Sequence, residues 1–220
     1  VVAKDIAASG GSAEAAEVDA LDEPAVDRHL LEVLGNAGRV DISFNAIGIP
    51  DTKILGTPLA ELDTETFSLP ITAYTRSYFL TAHLAAAHMI PKKSGVIMTV
   101  TALPARMGTR ANGGYGPAMA AKEALTRDLS AELAPHGIRV VGLRPHGIPE
   151  TPTMRELAEI RAKSSDLTWE QLTGYFASTA HTRRVMALKE VADMAVFMAS
   201  DKASGMTGTT VNLSMGALPD

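Results

Sequence analysis

The chain has 220 residues, 46% of them hydrophobic and 20% charged, with a formal net charge of -5. That is enough for one α/β domain with a sizeable core and too little for two comfortable ones, and the negative balance argues against nucleic acid or an anionic membrane surface as partner. Without cysteine there are no disulfides, thiol nucleophiles or thiolate metal sites, and no apolar stretch reaches the ~20 residues that span a bilayer.

The first residues, "VVAKDIAASGGS", read as the tail of a helix stopped at Gly10-Gly11. "AEAAEVDA" (13–20) is a short strand candidate leading to Asp19. "LDEPAVDRHLLEVLGNAG" is an amphipathic helix with Asp22 as N-cap, Pro24 in its first turn and Gly35 near its end. "RVDISFNAIG" is a β-branched, apolar run suited to a buried parallel strand. A polar loop from Ile49 to about Glu61 leads to a long helix reaching Ile90, which Pro91 stops. His83 and His88, on that helix, lie five apart and fall on different sides, and the six histidines form no HxxxH or HxH pair, so no metal site is expected.

"GVIMTVTA" (95–102) is a second buried strand. A glycine-rich loop, 108–114, then delivers Tyr115 onto the start of a helix running to about Ala134. "HGIRVVGLRP" is a third strand, ended by Pro145. Residues 149–184 are more polar and helical in places, like a lid; Trp169, Tyr175 and Phe176 would give it an apolar underside. "LKEVADMAVFMASD" is a further helix and "GTTVNLSMG" a last strand. Strands alternating with helices of ten or more residues predict one Rossmann-type domain over 1–220, a doubly wound parallel sheet with helices on both faces.

The order of these elements, with "DISFNAIGI", "GVIMTVTA", "YGPAMAAKEALTRDLSAELAPHGIRVVGLRP" and "MTGTTVNLSMG", resembles the short-chain dehydrogenase/reductase family over nearly the whole chain. Each motif alone is a weak signal; their joint order is a strong one. The resemblance implies hydride transfer between NAD or NADP and a small carbonyl or alcohol, with the cytoplasm as location and a homodimer or homotetramer as assembly. In that assembly the two long helices, about 67–90 and 115–134, would pair across a two-fold axis, which their alanine-rich stretches permit.

The resemblance places Tyr115 as the phenol that exchanges a proton with the substrate oxygen. A phenol with an ordinary pKa of ~10 needs help near neutrality, which a lysine four residues on supplies in the family. Here that position is Met119, the serine position is Ala102, and the asparagine of the preceding helix is replaced by Tyr74. Two neighbours are candidates to substitute. Lys122, seven residues after Tyr115, lies only ~20° off the same helical face at a rise of ~10.5 Å, and helical side chains lean back toward the N-terminus. Its plainer reading is an ordinary solvated or interface lysine. Thr101 offers a hydroxyl beside Ala102 but points to the other face unless the strand ends there; its plainer reading is a β-branched strand residue. Met119 likewise reads as apolar filler.

For the cofactor, the resemblance places Asp19 at the adenine ring, Asn45, Ala46, Ile47 and Gly48 along the adenosine ribose, and Pro145, Gly147 and Ile148 beside the nicotinamide, with His146 where a glycine is common. Asp19 reads equally well as a strand-end or turn aspartate. The family's G-x-x-x-G-x-G loop is not found, and on the family pattern a strand, a helix and a second strand would precede this chain. A piece of a longer protein is therefore expected, or one whose N-terminal segment is supplied in another way. Two functions follow: an oxidoreductase with an altered site, or a non-catalytic member that keeps the fold as a binding or scaffold protein.

Overall fold

The computed structural model describes residues 1–50, 54–165 and 168–219. Parts of the expected loop after Ile49 and of the expected lid, 51–53 and 166–167, thus lie outside the described residues. In chain order the elements are α1 (Val2–Ala8), α2 (Glu23–Ala37), β1 (Ile42–Asn45), α3 (Thr64–Met89), β2 (Gly95–Val100), α4 (Tyr115–Leu133), β3 (Ile138–Pro145), α5 (Pro152–Ser165), α6 (Trp169–Thr179), α7 (Leu188–Ala199) and β4 (Thr209–Leu213). The four strands form one all-parallel sheet in the order β1-β2-β3-β4.

Alternation along the central strands decides which layer each residue joins. Ile97, Ile138 and Val140 face α3 and α4, where they pack with Tyr78, Ala82, Ala85 and Met89. Val96, Met98, Val141 and Leu143 face the other way and pack with Met186, Val191 and Met198 from the α7 side. Being apolar on both faces, β2 and β3 read as near-continuous hydrophobic runs, as a parallel sheet between helical layers requires. The long helix α3 begins where expected, with the Asp63 carboxylate accepting from the backbone N–H of Thr66 at 2.8 Å.

Two expectations fail. Residues 13–20 form no strand: the segment is irregular and mostly exposed, and Asp19 closes a turn by accepting from the backbone N–H of Leu21 at 2.9 Å. Alanine and glutamate have little preference for extended structure, and no strand among the described residues lies beside the segment to form a ladder. The run at 39–48 contributes only four residues to β1, which is an edge strand and not a buried one. Ser43 and Asn45 turn toward α3 and bond to Thr81, while Ile42 and Phe44 on the opposite side are 48% and 43% exposed. The expected lid resolves into α5 and α6, where Arg155 lies over the Trp169 ring at 4.7 Å.

Candidate active site

The loop before α4 is built so that Tyr115 falls on the first helical turn beside the C-terminal end of β2. Gly113 has φ +50, and a Cβ there would sit 2.6 Å from the Ile54 carbonyl oxygen. At Gly114 a Cβ would overlap the Phe67 carbonyl oxygen of α3. Only glycine lets the backbone pass between these two carbonyls. The half-buried Tyr115 ring then meets the Tyr74 ring edge-on, with centroids 5.7 Å apart. Tyr74, Ala118 and Met119 form a small apolar cluster, and Ile49, Ile71, Ala102, Ala105 and Tyr115 pack against it.

Met119, 2% exposed, thus fills the position one turn beyond the phenol with a thioether buried against Tyr74. Ala102 is the residue of the β2 end that joins this cluster. Thr101 is not brought to it. Its hydroxyl donates toward the Glu123 carboxylate at 3.1 Å and the Leu143 carbonyl at 3.3 Å, on the other side of the chain, as the alternation of neighbouring residues dictates.

Lys122 is neither solvated nor at an interface: it is 1% exposed. Its ammonium donates to the Val100 carbonyl at 2.8 Å and to Asn45 Oδ1 at 3.3 Å, and lies 5.7 Å from the Tyr74 ring centre and 5.6 Å from that of Tyr78. No carboxylate is among these partners, so burial dominates and brings its pKa down to about 7. The Tyr78 phenol bonds Thr126 at 3.1 Å, and burial pushes its pKa up to about 12. The cation that sequence geometry set near Tyr115 is therefore one aromatic ring removed, behind Tyr74. The buried pair Arg144–Glu123 was not expected. Arg144 Nε and Nη2 donate to the carboxylate at 2.7 and 3.3 Å; an arginine inside the apolar run "VVGLRP" was the available signal.

The cofactor candidates divide by accessibility. The backbone of Ala46, Ile47 and Gly48 lies open at the C-terminal end of β1, and Pro145 to Ile148 follow the C-terminal end of β3. Both are positions where open α/β sheets bind ligands. The Asn45 amide is spent inside, donating to Thr81 and accepting from Lys122. The Phe176 ring of α6 rests on Gly147, where a Cβ would fall 2.9 Å from it. His146 is buried beneath the same helix, edge-on to Phe176 with centroids 5.3 Å apart, with Nε2 3.2 Å from Thr179 Oγ1 and Nδ1 accepting from Gly147 N–H. The exposed Asp19 borders a shallow cleft of about 170 Å³ beside α2. A dinucleotide would thus meet open backbone after β1 and the Phe176 ring over Gly147 after β3.

Comparison with known proteins agrees with this architecture. The family model described as enoyl-(acyl carrier protein) reductase matches residues 2–217. Sorbitol-6-phosphate 2-dehydrogenase of Klebsiella pneumoniae is 32% identical over 186 residues, covering 81% of this chain and 69% of that protein. (+)-Borneol dehydrogenase 2 of Salvia officinalis is 28% identical over 213 residues, covering 94% and 73%. The crystal structure of sorbitol-6-phosphate 2-dehydrogenase from Erwinia amylovora superposes with a TM-score of 0.91 at 26% identity, covering 100% of this chain and 85% of that one. With its parallel sheet, flanking helices and motif order, the chain belongs to the short-chain dehydrogenase/reductase family of NAD(P)-dependent oxidoreductases.

Proposed function

We propose that the chain reduces or oxidises a small carbonyl or alcohol, with Tyr115 as the proton-exchanging group and Lys122 as the remote cation of the site. The observation that carries this reading is the placement of the Tyr115 ring beside the C-terminal end of β2, fixed by two sterically required glycines. When bound, the nicotinamide supplies or accepts the hydride. Backbone at Ala46, Ile47 and Gly48 would hold the ribose side, with Asp19 toward the adenine and Pro145, Gly147 and Ile148 beside the nicotinamide. Phe176 must leave Gly147 for that approach, so α6 acts as the cover of the site.

Tyr115 exchanges its proton with the substrate oxygen, and Ala102 leaves that oxygen without the hydroxyl partner the family places there. The Lys122 ammonium touches the Tyr74 ring, not the phenol, so it stabilises a phenolate less than a lysine at position 119 would. The turnover is accordingly slow. Thr101 positions the Glu123–Arg144 pair and does not touch substrate. The test is titration with NADH and NADPH followed by turnover across a panel of small carbonyls; no binding of either nucleotide rejects the reading.

A second reading has its own support. The spent Asn45 amide, the Phe176 ring on Gly147 and the apolar Met119 fit a member that uses the fold for binding alone. Nucleotide binding without turnover favours it. The proposed location is the cytoplasm. The proposed assembly is a homodimer or homotetramer, supported by Leu69 and Phe79, 43% and 46% exposed on α3 near His83, which stacks on Phe79 at 5.4 Å. Among the described residues no helix is long and apolar enough to cross a membrane.

A further inference from the structure

A second cleft, of about 230 Å³, lies between α4, the start of β4 and the turn after β2, lined by Arg106, Glu123, Arg127, Arg144, Thr209 and Thr210 among others. Its chemistry is one-sided. Arg144 and Glu123, 2% and 4% exposed, neutralise each other in a two-pronged ion pair and make a rigid wall. Thr101 takes a further share of the Glu123 carboxylate. Arg127 stands one helical turn after Glu123, on the same face, and that carboxylate is already engaged. Arg106 and Arg127 are exposed and have no ion-pair or hydrogen-bond partner among the described residues. Arg106 and Arg127 thus add two guanidiniums beside the Arg144–Glu123 pair, on a chain whose net charge is -5.

The floor is also polar. β3 presents Gly142 there, and a Cβ at that position would fall 2.7 Å from Thr210 Oγ1, so the missing side chain makes room for the Thr210 hydroxyl. That hydroxyl has no partner among the described residues. Planar guanidinium forks and a hydroxyl around a small concavity match the oxygens of a tetrahedral dianion, to which arginine donates two bonds at once. A single carboxylate would leave one positive charge unmatched. We propose that this cleft binds a phosphate group, with Arg106, Arg127 and Thr210 as its donors and the Arg144–Glu123 pair as the wall that fixes its shape. None of the three donors belongs to the Tyr115 cluster, so the proposal stands apart from the oxidoreductase reading.

The test is calorimetric titration of the full chain, free of nucleotide, with inorganic phosphate and separately with glycerol 3-phosphate, at an ionic strength held constant with chloride. Saturable 1:1 binding is expected, weakened at least about tenfold in the Arg106→Ala/Arg127→Ala variant. Thr210→Val should weaken it by a smaller factor. Tighter binding of the ester assigns the site to an esterified phosphate; tighter binding of the inorganic ion assigns it to the free anion. The control Lys4→Ala/Lys202→Ala removes the same charge from exposed positions elsewhere and should leave binding unchanged. Absence of saturable binding by both probes to a chain with native circular dichroism overturns the proposal. So does equal weakening in the arginine and lysine double variants.

Discussion

Replacing Lys122 by methionine should stabilise the protein at neutral pH and remove most of its alkaline stability gradient. The ammonium is buried with only a carbonyl, an amide oxygen and two ring faces as partners, so folding brings its pKa from 10.5 to about 7. Below pH 7 both the folded and unfolded chains carry the proton, and the full cost of burying the charge is present. Between about 7 and 10.5 the unfolded chain keeps a proton that the folded chain has released, so stability rises with pH; above 10.5 the difference is gone. At about 1.4 kcal/mol per pH unit, this interval corresponds to about 5 kcal/mol. Tyr78 acts in the opposite sense, because a phenol raised to about 12 loses its stabilising contribution only as pH climbs above its unfolded value of 10. The window from pH 7 to 9.5 therefore isolates Lys122, and the wild-type protein should gain about 3 kcal/mol across it relative to Lys122→Met. Urea unfolding of both proteins at half-unit pH steps measures the difference directly, since every other group titrates equally in the two. Parallel pH profiles would refute the reasoning: the lysine would then be hydrated in the folded state, and its role as a buried site cation would fall with it.

Other perturbations probe the remaining features. Met119→Lys should raise carbonyl reduction at least about tenfold by placing an ammonium one turn from Tyr115; a folded variant that binds nucleotide with no gain in NAD(P)H oxidation would mean that the phenol is not the proton donor. Arg144→Met should cost about 3–5 kcal/mol in chemical unfolding by stranding the Glu123 charge, whereas Arg144→Met with Glu123→Met should recover most of the loss. Gly114→Ala should lower the melting temperature by several degrees, because its Cβ meets a helix carbonyl rather than a flexible side chain. Burial holds the pKa of His146 below its ordinary 6.5, so folding favours the neutral ring and acidification through that range should loosen α6. Limited proteolysis within 149–184 should accelerate as pH falls below 6.5 in the wild type and lose that pH dependence in His146→Gln.

How far the sequence speaks for the fold depends on whether a signal is local. Pro91 and the apolar runs "GVIMTV" and "IRVVGL" mark a helix end and two buried strands through backbone sterics and burial, and the structure follows them. "AEAAEVDA" forms no strand because alanine and glutamate have little preference for extended structure, and an extended segment becomes a strand only beside a ladder partner. The same dependence on neighbours governs β1. Its apolar residues lie on one face only, and Ile42 and Phe44 stay open because the core on the α7 side takes in β2, β3 and β4 but no residue of β1.

The site divides along the same line. Gly113-Gly114 before Tyr115 is a steric statement legible in one dimension, and the two carbonyls at Ile54 and Phe67 explain it in three. Helical geometry puts Lys122 only ~20° around the axis from Tyr115, but an angle around an axis carries no information about what lines that face. The lining consists of Asn45 from β1, the Val100 carbonyl from β2 and two tyrosines from α3, all more than twenty positions away. Those contacts turn a residue that looks like a solvated lysine into a buried amine titrating near neutrality. They also place Tyr74 between charge and phenol. A lysine at 119 would act on Tyr115 directly, whereas one at 122 acts through the face of Tyr74, where the ring screens its field and the Val100 carbonyl competes for its protons. The exchange of a single turn of helix thus converts the charge that lowers a phenol's pKa into one that mainly orders the aromatic wall beside it. On this physical ground, restoring lysine at 119 is expected to act mainly on activity, and removing it at 122 mainly on stability with a smaller loss of activity.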